Sequence, residues 1–146
     1  MPTLAAYLAR IGYAGPIEPT TDVLYAVHRR HLLAIPYENL DIHLGRELSL
    51  NLPAIFDKIV TRRRGGWCYE MNGLLAWALR EMGFDVTLLS GAEGKHLVLR
   101  VQLEQAWLAD VGYGNGILEP LPLIEGEHTQ HGFVFRLSRD DESKTE

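Results

Sequence analysis

Apolar positions in the first 83 residues recur at helical spacing. Leu4, Tyr7, Leu8 and Ile11 share one face and Gly12 follows where a helix would stop, which predicts a short amphipathic helix over residues 3–11. Thr20 and Thr21 are N-cap candidates for a second helix, whose stripe runs through Leu24, Val27, His28 and His31. Pro53 suits a first helical turn, and Ile55, Phe56, Ile59 and Val60 carry a third helix up to the basic run Arg62-Arg63-Arg64. The most regular segment is 68–82, where Leu74, Leu75, Ala78, Leu79 and Met82 form an apolar face and Gly83 occupies the position that ends it.

From Phe84 onward the pattern changes. Residues 86–89, 96–101, 107–111 and 133–137 are short β-branched or aromatic runs separated by Gly-rich or acidic turns, the pattern of antiparallel strands. The expected fold class is therefore α+β: an N-terminal helical bundle (1–83) followed by an antiparallel β-barrel or sheet (84–137). A polar tail (138–146) is expected to fray.

Composition narrows the function classes. The chain has 146 residues, with 47% hydrophobic and 23% charged, enough to bury the core of one ordinary folded domain. Fourteen Lys+Arg against nineteen Asp+Glu give a charge of −5 and no extended basic face, so a general nucleic-acid binder is excluded as a reading. No apolar run approaches the ~20 residues of a membrane span, and residues 1–15 lack the pattern of an export signal. The chain has one cysteine, so it forms no intrachain disulfide, and a reducing, cytoplasmic location is expected.

That cysteine, Cys68, follows Arg64-Gly65-Gly66-Trp67 and opens the best helix. A thiol in a first helical turn faces unpaired backbone N–H groups and the positive end of the helix dipole, which favours thiolate. Gly65 and Gly66 suit a sharp turn that brings peptide N–H groups to an oxyanion. A buried, inert cysteine fits the same position about equally well. A nucleophilic thiolate needs a base and a group to orient it. His96 opens one predicted strand and Asp110 closes the next, so a hairpin through Glu104 and Gln105 would bring them side by side. A surface histidine and a turn aspartate remain the blander alternative for that pair.

The stretch Arg64-Gly65-Gly66-Trp67-Cys68-Tyr69-Glu70-Met71-Asn72 resembles the active-site signature of the arylamine N-acetyltransferases, R-G-G-x-C-[FY]-E-x-N. Three further blocks match in order: Ile35-Pro36-Tyr37-Glu38-Asn39-Leu40-Asp41, His96-Leu97-Val98-Leu99, and Trp107-Leu108-Ala109-Asp110-Val111-Gly112-Tyr113-Gly114. The resemblance implies a papain-like cysteine-enzyme arrangement with Cys68 as nucleophile, His96 as base and Asp110 as the orienting acid. It implies acetyl-CoA as acetyl donor, a small arylamine, hydrazine or arylhydroxylamine as acceptor, and no metal. Gly112, Gly114, Asn115 and Gly116 would form a loop near CoA, and Tyr37, Trp67, Tyr69 and Tyr113 would wall the acceptor site. Arg64 and Glu70 are expected to tie the active-site turn together rather than touch substrate.

Two departures stand out. Family members carry a third α/β region beyond the barrel, and the connection from Leu89 to His96 is shorter here than in relatives. The chain is expected to be an N-terminal portion or shortened relative that keeps the triad and leaves a cleft open; a homodimer in which a second copy covers that cleft is the second expectation, and a folded but catalytically weak remnant the third. The rival readings are a related amide synthase, another Cys-His-Asp thiol enzyme, and a binding module without turnover.

Overall fold

The computed structural model describes residues 1–91, 95–113 and 116–139. Among the described residues, five α-helices and one π-helical turn precede six strands. The helices are α1 (Leu4–Ile11), α2 (Thr21–Ala34), α3 (Leu40–His43), α4 (Leu52–Phe56) and α5 (Cys68–Glu81). The strands are β1 (Asp85–Gly91), β2 (His96–Gln102), β3 (Ala106–Ala109), β4 (Leu121–Pro122), β5 (Gly126–Gln130) and β6 (Phe133–Leu137). None of the described helices is long and apolar enough to cross a membrane.

Side-chain caps set the helix starts. Thr3 Oγ1 accepts the Ala6 N–H at 3.3 Å, Thr20 Oγ1 the Val23 N–H at 3.3 Å, and Asn51 Oδ1 the Ala54 N–H at 2.9 Å. Gly12 closes α1 at φ 69°, and Gly83 follows α5 at φ 95°. The third helix departs from its α-helical expectation, because α4 runs into a π turn at Asp57–Thr61. Lys58, Ile59 and Val60 are all buried at consecutive positions of this wider turn.

The strands form an antiparallel sheet in the order β1-β2-β3-β4 and a separate β5-β6 hairpin. Of the barrel-or-sheet expectation, the sheet is what forms, and no closed barrel occurs among the described residues. The hairpin turn places His131 at φ 50° and Gly132 at φ 83°, two consecutive left-handed residues of the kind that match strand twist. β4 and β5 lie outside the sequence-predicted strands, since Gly126–Gln130 is polar throughout and gains its conformation by pairing with β6. Residues 140–146, most of the expected tail, lie outside the described residues.

α5 is the centre of the packing. Its Leu74, Leu75, Ala78 and Leu79 are fully buried, as are Leu99 and Val101 of β2 and Ala109 of β3. Trp77 takes edge-on contacts from Tyr7 and Phe56, with ring centroids 6.4 and 5.9 Å away. Truncating any one of these leucines to alanine is expected to cost about 2–5 kcal/mol. The result is a rigid helix whose first residue, Cys68, points its N-terminus at the open end of the β2-β3 hairpin.

Candidate active site

The turn before α5 is held by charge. Arg64 pairs with Glu38 and, at 2.9 Å, with Asp41 Oδ1, while Glu38 Oε2 accepts the Gly65 N–H at 3.1 Å. Glu70 Oε1 accepts the Trp67 N–H at 3.2 Å and meets Lys58 Nζ at 2.8 Å, and Lys58 also lies 3.5 Å from Asp41 Oδ2. The hydrogen bond and charge of Arg64, with help from Lys58 and Arg46, hold the Asp41 carboxyl below its usual range. Arg64 and Glu70 thus bind the turn together. Arg10 of α1 completes the frame: it donates to Ile59 O and Ala34 O, both at 2.8 Å, and reaches the Arg63 and Arg64 carbonyls at 3.4 and 3.3 Å. Those last contacts brace Arg63 in the left-handed region at φ 55°.

Gly65 and Gly66 serve close packing rather than an oxyanion. A Cβ on Gly65 would overlap the Pro36 carbonyl, and the segment bridges in parallel to Tyr37. The Gly65 N–H is taken by Glu38 and the Gly66 N–H by Pro36 O at 3.4 Å, so neither amide is free for a substrate oxygen. The oxyanion expectation for these two glycines fails because the turn lies against residues 36–38.

The β2-β3 hairpin forms as expected, with Leu99 opposite Ala109. Asp110 stands one residue past the end of β3 and His96 at the start of β2. His96 Nε2 donates to Asp110 Oδ2 at 2.7 Å, which leaves Nδ1 of the neutral ring as a proton acceptor. The second carboxylate oxygen, Oδ1, accepts from Asn72 Nδ2 and from the Gly112 N–H, each at 2.9 Å. Asn72, one helical turn beyond Cys68 and fully buried, also donates to Leu97 O at 2.7 Å and accepts the Val111 N–H at 2.9 Å. A single amide therefore joins α5, β2 and the end of β3.

Cys68 comes to the same place by backbone contacts. A Cβ on Gly112 would stand 2.6 Å from Cys68 Cα and 2.9 Å from Asn72 Nδ2. Burial pushes the thiol up, the N–H groups of Leu97 and Tyr69 pull it down, and the Asp110 charge adds to the rise. The net shift is upward, so burial outweighs the helix terminus in this arrangement. A thiolate here requires a base to take the proton.

Of the four aromatic candidates, Trp67 and Tyr69 flank Cys68 in the chain, Tyr37 feels its charge, and Tyr113 lies against His96. Tyr37 carries a raised hydroxyl pKa, through burial first and then the Cys68 charge. The Trp67 and Tyr69 rings lie 5.2 Å apart, and Tyr113 meets His96 edge-on at 5.5 Å. Tyr69 and Leu97 border an open, mostly apolar cavity of about 460 Å³, and Tyr113, His96 and Asp110 border another of about 230 Å³. In the glycine loop, the Gly112 N–H is used by Asp110 and the Gly116 N–H by Tyr113 O at 3.1 Å. Gly114 and Asn115 lie outside the described residues. Among the described residues no three His, Cys, Asp or Glu side chains gather as metal ligands.

Two residues of the site stand outside the candidates read from sequence. Asn72 lay within the motif without a role, and His28 had only a place on the α2 stripe. His28 is fully buried and contacts the Asp110 backbone 82 positions away. A histidine spaced on an apolar helical face was the available signal.

Comparison with known proteins agrees with this geometry. The family model described as N-acetyltransferase matches residues 20–146. Arylamine N-acetyltransferase 1 of Homo sapiens is 39% identical over 158 residues, covering 94% of this chain and 53% of its own length. The pineal gland isozyme of arylamine N-acetyltransferase from Gallus gallus is 38% identical over 151 residues, covering 92% and 52%. The crystal structure of the Nocardia farcinica arylamine N-acetyltransferase superposes with TM-score 0.85 at 43% identity, covering 95% of this chain and 54% of that one. The Mycobacterium marinum enzyme in complex with CoA gives TM-score 0.87 at 37% identity, covering 95% and 58%. The chain spans about half the length of these relatives. With the family model matched across most of its residues and the motif side chains assembled around one cysteine, the chain belongs to the arylamine N-acetyltransferase family.

Proposed function

We propose that this chain transfers an acetyl group from acetyl-CoA through a thioester on Cys68 to an arylamine, hydrazine or arylhydroxylamine, in a cytoplasmic setting that keeps the thiol reduced. The observation that carries the reading is the His96–Asp110 hydrogen bond of 2.7 Å at the N-terminus of the helix that begins with Cys68. His96 Nδ1 takes the thiol proton as Sγ attacks the acetyl carbonyl carbon. The bond from that carbon to the CoA sulfur breaks, and CoA leaves as a thiol with the proton from His96. The amine nitrogen then attacks the thioester carbon, the C–Sγ bond breaks, and the amine proton returns through His96 to Cys68. The papain-like order of a helix-borne cysteine, a histidine at the start of a strand and an aspartate just past the end of the next supports this cycle.

Tyr37, Trp67, Tyr69 and Tyr113 are the aromatic walls this reading assigns to a planar acceptor. Residues 112–116 are assigned to the CoA-facing loop, with Gly112 contributing close approach to Cys68 rather than a free amide. Intact-protein mass spectrometry after exposure to acetyl-CoA tests the proposal. One acetyl adduct on Cys68, discharged by an arylamine and absent in Cys68→Ser, is the expected result. No adduct, or an adduct elsewhere, overturns it, and labelling by a polyketide thioester instead would favour an amide synthase.

A further inference from the structure

Asp110 has a backbone problem that α2 solves. The β2-β3 ladder ends at the Leu99–Ala109 pair, so the Asp110 N–H has no strand partner. It donates instead to His28 Nε2 at 3.1 Å, while His28 Nδ1 lies 2.8 Å from Leu118 O. Both partners are backbone groups with only one hydrogen-bonding sense: an N–H can only donate and a carbonyl can only accept. The ring must therefore be neutral with its proton on Nδ1. A proton on Nε2 would face the Asp110 N–H head-on.

The same ring closes a loop. Asp110 and Leu118 are the two ends of the segment that carries Gly112 and Tyr113, and one fully buried imidazole bonds to both. The Leu118 end is itself anchored, because Gln130 Oε1 of β5 accepts the Leu118 and Glu119 N–H groups at 2.7 and 3.1 Å. His28 thus sets where the backbone leaves β3. That position decides whether the Asp110 carboxylate can meet His96 Nε2 and Asn72 Nδ2 at once.

We infer that His28 is a positioning residue, which as the neutral Nδ1–H imidazole holds the Asp110 backbone so that the carboxylate orients His96. Its consequence for acetyl transfer rests on the proposed function above. A side chain that keeps only an acceptor at the Nε2 position should preserve the arrangement, and one that keeps only the Nδ1 contact to Leu118 should not. Gln places its terminal oxygen near the Nε2 position, and Asn places its amide near Nδ1.

The test compares the wild-type chain with His28→Gln and His28→Asn. In the wild type, ¹⁵N-histidine NMR should show His28 as the Nδ1–H tautomer and a strongly shifted His96 Nε2–H bonded to Asp110. His28→Gln should keep the His96 signal and most of the rate of Cys68 acetylation. His28→Asn, at matched thermal stability, should lose the signal and slow acetylation by about tenfold or more, with little change in the acetyl-CoA concentration needed for half-saturation. A wild-type His28 in the Nε2–H tautomer overturns the inference, as do Gln and Asn variants with the same His96 signal. If His28→Gln fails to fold, the wild-type tautomer and the His28→Asn spectrum still decide. Absence of acetylation in the wild type would overturn the proposed function alone, because the NMR readout needs no turnover.

Discussion

Gly112 lies so close to Cys68 that a methyl group on it would stand 2.6 Å from the Cys68 Cα and 3.0 Å from its Cβ. The obstruction is backbone rather than the end of a flexible side chain, so the loop or the helix must move. Gly112→Ala is expected to destabilise the chain by about 1–3 kcal/mol and to separate Asp110 from Asn72. Gly73 is the control within the same helix, since a methyl there meets nothing within 4 Å. Gly73→Ala should stabilise by roughly 0.5–1 kcal/mol, since alanine costs less backbone entropy than glycine in a helix. Urea unfolding of both variants reads the difference, and equal shifts would contradict the packing argument.

The buried Lys58–Glu70 pair should show strong coupling. Only 4% of the Lys58 side chain and 8% of the Glu70 side chain are exposed, and each is the nearest compensation for the other. Lys58→Met leaves a carboxylate buried against the Trp67 N–H with its cation gone, at a cost of about 3–5 kcal/mol. The double variant Lys58→Met/Glu70→Gln removes both charges and should recover much of that loss. A double-mutant cycle in urea that gives additive costs would show the pair to be independent.

Local signals in the sequence carried most of the helical half. Gly12, Thr20 and Gly83 act at the termini where their residue types predict, and the apolar stripe of α5 is the buried one. The His96–Asp110 contact was legible because a two-stranded hairpin has few ways to pair. What stayed hidden depends on contacts between distant segments. Arg10 reads as an ordinary polar helix residue until α2 and the π turn present their carbonyls to it. Lys58 reads as a solvated residue until the π turn rotates it inward. β5 has no apolar alternation, so only its partner strand defines it.

Acid should unfold the chain over a window set by its buried histidines. Burial pushes His28 down to about 4 against the favourable pull of Leu118 O and Asp110, and burial with the His28 and Arg10 charges pushes His31 down to about 3. Both folded values lie below the unfolded histidine value of about 6.5, so the unfolded chain binds more protons below that pH. Stability is therefore unaffected by these groups above about pH 6.5 and falls as the pH drops toward 4, by on the order of 3 kcal/mol for His28 alone. Urea midpoints measured from pH 7 to pH 4 should decline steadily, and His28→Gln should flatten part of that slope. An unchanged slope in the variant would mean that His28 does not set the acid limb.

Asp110→Asn separates charge from orientation at the candidate centre. The Asp110 charge helps to hold the Cys68 thiol up, so its removal should move the pH midpoint of Cys68 alkylation by iodoacetamide downward. The same change puts an amide where His96 Nε2 now donates at 2.7 Å. If the amide presents its N–H there, the ring must shift its proton to Nδ1 and can no longer accept one from the thiol. If it presents its oxygen, the Asn72 Nδ2 and Gly112 N–H groups that now bond to Oδ1 face another donor. Either arrangement should slow acetylation of Cys68 by roughly 10³–10⁴-fold, even though the thiol itself ionises more readily. The two readouts thus move in opposite directions. A lowered alkylation midpoint with undiminished acetylation would remove His96 from the role of base.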